Sequence, residues 1–124
     1  MHGTLRASLL LLALVVTQIP NDAWAVYETV VIEKPFHSRS LSGFTMDPSG
    51  AVLAGVEVSD YDPNSEQVFA STVSDQQGHF ALPRNGRSVH HLKFLARGMN
   101  PLEITVVLRI FAQKEIKVKL PIGG

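Results

Sequence analysis

Between residues 55 and 61 the apolar Val56 and Val58 alternate with the polar Glu57 and Ser59. From 114 to 120 Ile116, Val118 and Leu120 alternate with Glu115, Lys117 and Lys119. A period of two is the signature of an extended chain, whose successive side chains point to opposite faces. One apolar and one polar face per strand describes sheets buried on one side and wet on the other, as in antiparallel sheets. The pattern predicts strands over 27–33, 40–46, 55–61, 67–74, 79–83, 88–96, 101–109 and 114–120, and it requires no helix after residue 25. Turn signals separate them at intervals of about ten residues: Asp47-Pro48-Ser49-Gly50, Asp62-Pro63-Asn64-Ser65, Asp75-Gln76-Gln77-Gly78, Asn85-Gly86 and Gly98-Met99-Asn100-Pro101. In these, Asp or Asn bonds its own backbone two residues on, Pro presets φ and Gly accepts a positive φ. Asp47, Gly50, Asp75, Gly78 and Gly98 are therefore expected to be structural turn residues. Short strands punctuated this way predict an all-β sandwich or barrel. Lys34 to Ser40, polar and carrying Pro35, interrupts the alternation, so residues 27–33 are expected to be an N-terminal extra strand that completes its own sheet or pairs with another chain.

The beginning of the chain follows different rules. Arg6 precedes an unbroken apolar run from Leu9 to Val16, then come Pro20 and the small-x-small triplet Ala23-Trp24-Ala25. This is the layout of a secretory signal peptide over residues 1–25 with cleavage after Ala25, and the run is too short for the ~20 apolar residues of a membrane-spanning helix. The expectation is a secreted or periplasmic protein. About one hundred residues then remain, enough for one core, divided into a 26–39 extension and a 40–124 domain. The sequence has no cysteine, so that core must supply the stability without disulfides. The formal net charge is zero, but acids crowd the first half of the remaining chain and basic residues the second. Interleaving of strands from the two halves is expected to mix these charges; a basic face for an anionic partner is the alternative. Secretion argues against a nucleic-acid partner.

The order of these signals resembles a known family. Ser42-Gly43-Phe44-Thr45-Met46-Asp47-Pro48-Ser49-Gly50, Leu53-Ala54-Gly55-Val56-Glu57-Val58, Thr72-Val73-Ser74-Asp75-Gln76-Gln77-Gly78-His79-Phe80-Ala81-Leu82 and Gly98-Met99-Asn100-Pro101 look like the carboxypeptidase regulatory-like domain over most of residues 40–120. The resemblance implies a transthyretin-like, seven-stranded Greek-key antiparallel β-sandwich that serves as a non-catalytic module of secreted or cell-surface proteins. His90 stands where the family often has an aromatic residue, and Met99 replaces a Phe. The domain is expected to stand alone, without the peptidase, receptor barrel or sugar hydrolase that the resemblance would have it accompany, and its partner is expected to be an extracytoplasmic protein or a polysaccharide.

Few residues offer chemistry. His90 and His91 are adjacent on a strand and must point to opposite faces, so they cannot share a metal ion; alternation with Leu92 and Phe94 places His90 in the core and His91 on the surface. No metal or cofactor is expected. A serine in a G-x-S-x-G elbow and a cysteine are both missing. The hydroxyisourate hydrolase of the transthyretin-like fold, marked partly by a C-terminal Tyr-Arg-Gly-Ser, is not matched by Leu120-Pro121-Ile122-Gly123-Gly124. The expected function is non-enzymatic: protein interaction or structural support, with carbohydrate or small-ligand binding as the alternative. Tyr61, as a platform for an apolar ring face, and outward-facing His91 are the candidate ligand contacts. Asp60 and Asp62 read as solvated acids running into a turn, and Phe44, Phe80 and Phe94 as core rings. The polar stretch Asp75-Gln76-Gln77-Gly78-His79-Phe80 reads as a corner, with His79 in solvent and Phe80 inside.

Overall fold

The computed structural model describes residues 27–123; the expected signal peptide, its cleavage after Ala25 and Trp24 lie outside them. The described residues form nine strands and no helix. They are β1 (Val30–Val31), β2 (Phe36–Ser38), β3 (Ser42–Met46), β4 (Glu57–Tyr61), β5 (Val68–Val73), β6 (His79–Ala81), β7 (Val89–Leu95), β8 (Leu102–Leu108) and β9 (Ile116–Lys119). One sheet of six strands runs β1-β8-β7-β4-β5 with β2 also on β8, and one of three runs β6-β3-β9. Neither closes into a barrel.

Each predicted strand has a counterpart, and β2 is added inside the segment read as an interruption. Lys34 and Pro35 separate two short strands that share the same flank of β8, with Val30 opposite Leu102 and Phe36 opposite Val106. Residues 27–33 thus join their own sheet, fastened by Val30 N–H to Pro101 O (2.8 Å), Ile32 N–H to Glu103 O (3.0 Å) and Asn100 Nδ2 to Glu28 O (2.9 Å). The expectation of a purely antiparallel fold needs correction. Strands β4, β5, β7 and β8 pair antiparallel, as does β3 with β6, but β1 and β2 run parallel to β8 and β3 runs parallel to β9. Those parallel partners lie far apart in sequence, so no hairpin dictates their direction.

The inner faces of the two sheets supply one core: Val56, Val58, Leu92, Phe94, Leu102, Ile104 and Val106 from the larger sheet and its approaches meet Leu41, Phe80, Ile116, Val118 and Leu120 from the smaller. Phe80 and Phe94 meet edge to face across the layers at 5.5 Å. At about 1.5–3 kcal/mol for each large apolar side chain taken out of water, this packing is what binds sheet to sheet.

Phe44 is not in that core. Leu41 just before β3, and Gly43 and Thr45 within it, face inward, and Phe44 is half-buried. Gly43 sits opposite Ile116 where β3 and β9 approach so closely that a Cβ would run into the Ile116 carbonyl oxygen and side chain. That requirement fixes glycine on the inner face, and alternation then turns Phe44 outward.

The turns follow their sequence signals. Asp75 Oδ1 accepts from the N–H groups of Gln77 and His79, both at 2.9 Å, and Gly78 N–H donates to Asp75 O. Asp47 does the same for Ser49 (2.8 Å) and Ala51 (3.0 Å), with Gly50 N–H on its carbonyl. The Ser49 hydroxyl, then the Ala51 amide, hold the Asp47 carboxyl below its ordinary 3.8. Gly50, Gly78 and Gly98 all take positive φ, at 94°, 78° and 78°. Gly78 is also confined, because a Cβ there would meet Thr45 O and the Val52 side chain. His79, by contrast, is not free in solvent. Its Nε2 lies 2.9 Å from Glu115 Oε2 and its ring meets Phe44 edge-on at 5.1 Å, because β6 and the approach to β9 flank β3 on either side.

Gly43→Ala should lower the unfolding free energy by about 1–3 kcal/mol through overpacking, although alanine is the less flexible residue; denaturant titration checks this. An unchanged midpoint would mean that β3 and β9 are not held at this separation.

Candidate functional site

The chemistry of the molecule gathers where β4 lies antiparallel to β7, with Asp60 opposite Leu92 and Tyr61 opposite His91. Alternation on these two strands sends Asp60 and His90 inward and Tyr61 and His91 outward.

On the inner face, His90 and Asp60 are both fully buried, and His90 Nδ1 lies 2.7 Å from Asp60 Oδ2. His90 Nε2 faces the Arg87 carbonyl at 2.9 Å. A carbonyl only accepts, so Nε2 carries a hydrogen, and one further hydrogen is shared between Nδ1 and Oδ2. Arg87 Nη2 reaches the same Oδ2 at 3.2 Å, and its guanidinium covers the Phe69 ring at 4.0 Å. Phe69 is brought there by a β-bulge: the register of β5 on β4 passes from Ala70 opposite Asp60 to Val68 opposite Tyr61, leaving Phe69 as the extra residue. Asp60 Oδ1 is buried without a partner.

The reading of Asp60 as a solvated turn acid is therefore corrected; only Asp62 fits it, accepting from Asn64 N–H at 2.9 Å. The signal was present in the alternation. Val56, Val58 and Asp60 share one face, as do His90, Leu92 and Phe94, so both apolar faces end in a polar residue at neighbouring positions. With both ring nitrogens engaged and no exposed surface, the pair clips β4 to the start of β7. It is not placed to act on an external molecule.

On the outer face, Tyr61 stands in a shallow groove of about 410 Å3 lined by Ser59, Pro63, Glu66, Val68, Lys93, Leu95 and Glu103. Lys93 Nζ is 3.6 Å from Glu103 Oε2 and 5.5 Å from the centre of the Tyr61 ring. Burial, and after it the Glu103 carboxylate, pushes the Tyr61 pKa from its ordinary 10.0 up to about 12. The phenol consequently stays protonated as a donor, beside an ammonium donor and carboxylate acceptors, against an apolar wall of Pro63, Val68 and Leu95. Glu66, on the rim, holds a positive φ of 63° without being glycine, so the turn that begins at Asp62 runs beyond Ser65 to Gln67, whose carbonyl accepts from Asp62 N–H at 2.8 Å.

His91 is the outward neighbour of Tyr61, with ring centres 6.5 Å apart and its Nδ1 3.4 Å from Thr105 Oγ1; it stands outside the groove lining. The five expected turn residues lie away from the groove. Among the described residues no group of three His, Cys, Asp or Glu side chains converges as for a metal ion.

The chain matches no model of a known protein family, and no curated protein is significantly similar to it.

Removing one partner of a buried pair strands the other, so Asp60→Ala should cost about 3–5 kcal/mol, whereas Asp62→Ala, which loses an exposed turn bond, should stay within about 1 kcal/mol; equal losses in thermal or denaturant unfolding would contradict the burial of Asp60. The Tyr61 phenol gives a second test. The fold holds its proton more tightly than the unfolded chain, so its contribution to stability is complete below about pH 10 and lost as pH rises toward 12. A difference titration of wild type against Tyr61→Phe should show phenolate appearing around pH 12, and a midpoint at 10.0 would remove Tyr61 from this half-buried setting.

Proposed function

We propose that this chain is a secreted, non-catalytic β-sandwich module of the carboxypeptidase regulatory-like kind that binds an extracytoplasmic protein by accepting a strand at β5. The topology supports the family reading. Strands β3 to β9 number seven, and β7 returns past β6 to lie beside β4, with β5 on the other flank of β4, a return connection of the kind a Greek key uses. The layout of residues 1–25 supports secretion.

The observation that carries the function is the state of the β5 edge. Open edges attract further strands and are ordinarily blunted by charge, brevity or proline. Here β9 carries Lys117 and Lys119, while β1, β2 and β6 have only two or three residues. Strand β5, Val-Phe-Ala-Ser-Thr-Val, is six residues long and has neither charge nor proline. It pairs only with β4, and Val68, Phe69 and Val73 are 55%, 38% and 59% exposed. The bulge disturbs one end and leaves Ala70 to Val73 regular. Ser74 N–H donates to Val56 O at 2.9 Å, so by antiparallel alternation Thr72 and Ala70 bond toward β4 while the backbone groups of Ser71 and Val73 face outward. An extended partner with apolar side chains would meet free donors and acceptors there, as in β-strand addition.

A second reading rests on the Tyr61 groove, whose aromatic face, protonated phenol and neighbouring Lys93 and Glu103 suit a sugar ring or small polar ligand.

Ser71→Pro removes an outward N–H without touching the β4 ladder, a placement an edge strand tolerates. Partners captured from the extracellular or periplasmic fraction of the source cells should be lost with Ser71→Pro and with Val73→Lys, and kept with Tyr61→Ala. Retention in both edge variants would overturn strand addition, while glycan-array binding abolished by Tyr61→Ala would favour the second reading.

A further inference from the structure

The connection from β8 to β9 carries Arg109-Ile110-Phe111-Ala112-Gln113. Its Phe111 is 98% exposed and its Ile110 77%, the two highest values among the exposed large apolar side chains of the described residues. Neighbours in sequence, they make a single projecting apolar tip.

The tip is firmly held. Arg109 N–H donates to Ser38 O at 2.9 Å, Arg39 N–H donates to Gln113 O at 2.8 Å, and Ala112 N–H closes the turn on Arg109 O at 3.3 Å. Both bases of the turn are thus bonded to the end of β2 and the residue after it, and the buried Ser38 side chain donates to Ser40 O beside them. The exposure of Ile110 and Phe111 is built into the backbone.

Around that base lies an open cleft of about 700 Å3 whose charged and titratable lining is Arg39, Arg84, Arg109 and His37, with no acidic side chain. Arg109 Nε donates to His37 Nδ1 at 3.0 Å, which steadies its guanidinium. None of these arginines takes part in an ion pair among the described residues. Three uncompensated guanidiniums, whose planar forks match phosphate oxygens, thus surround an apolar projection.

We propose that this end of the sandwich docks on an anionic lipid bilayer, with Ile110 and Phe111 entering the boundary between headgroups and acyl chains and Arg39, Arg84 and Arg109 pairing with lipid phosphates. The shape selects lipid over an acidic protein. A projecting phenyl ring needs a matching recess in a folded partner, but a fluid bilayer admits it anywhere on its surface. The vertical order also fits: Arg39 and Arg109 are at the base of the turn and the apolar pair at its tip, so insertion of the tip brings the arginines to the level of the phosphates. Apolar insertion and basic attraction are the two terms that add in peripheral membrane binding. This surface is separate from the β5 edge and from the Tyr61 groove, and its test does not depend on either.

Co-sedimentation of residues 26–124, the chain left after signal cleavage, with vesicles of equal phosphatidylglycerol and phosphatidylcholine, against phosphatidylcholine alone, tests it. Wild type should sediment with the anionic vesicles, weakly with the neutral ones, and less as salt rises. Phe111→Ser should weaken partitioning by roughly tenfold or more, and Arg39→Ser and Arg84→Ser by about fivefold each, with unchanged circular dichroism. Equal binding to both vesicle types, or an absence of binding to the anionic ones, would overturn the proposal. So would partitioning that is indifferent to Phe111→Ser, which would be adsorption by charge alone, or capture of polyglutamate but not of vesicles, which would assign the patch to an acidic protein.

Discussion

The backbone ladder between β4 and β7 is the constraint on which the rest of the molecule depends. It joins a strand from the acidic half of the chain to one from the basic half, from Glu57 opposite Leu95 to Tyr61 opposite His91. Every other element of the larger sheet is placed by reference to it, β5 on one side and β8 with the short N-terminal strands on the other. Because side chains alternate, this one ladder also sorts chemistry. Its inner face contributes Val58, Leu92 and Phe94 to the core and ends in the Asp60–His90 clip, while its outer face carries Tyr61, His91 and Lys93 in reach of solvent. A slip of one residue would exchange those faces. The buried pair opposes such a slip, since any other register would separate two polar groups that have no water to turn to.

What was legible in the sequence was what depends on short range. The period of two in Val56–Val58 and in Ile116–Val118–Leu120 gave strands, and Asp47 and Asp75 with their following glycines gave turns, because a carboxylate two to four residues from its amides needs no tertiary information. His90 was placed inside by the same parity. Phe44 was misplaced because hydrophobicity argued for the core, whereas the deciding fact was the distance between β3 and β9 at Gly43, a property of strands separated by seventy residues. Asp60 was misread for the converse reason: its parity pointed inward, but an acid needs a named partner to be accepted there, and His90 and Arg87 come from a strand and turn that only the fold brings near. The parallel pairings were hidden because no connecting hairpin encodes them.

Charge shows the same division between local and distant. Interleaving mixes the two halves of the chain where β4 meets the approach to β7, as the Arg87–Asp60 ion pair shows. Mixing fails at one end of the sandwich, where Arg39, Arg84 and Arg109 come from three separate connections and no acid follows them. Linear composition announced an asymmetry but could not say where it would persist.

The attachment of the N-terminal strands carries a consequence for how the chain reaches this state. Val30 and Phe36 pair with Leu102 and Val106, so the first strands to be synthesised wait for nearly the last before they gain a single ladder bond. Such closure pays its loop entropy before any reward and belongs to the slow, high-contact-order class of folding. A chain that emerges N-terminus first therefore keeps β1 and β2 unpaired until β8 has followed, and the larger sheet is completed by its earliest strands last.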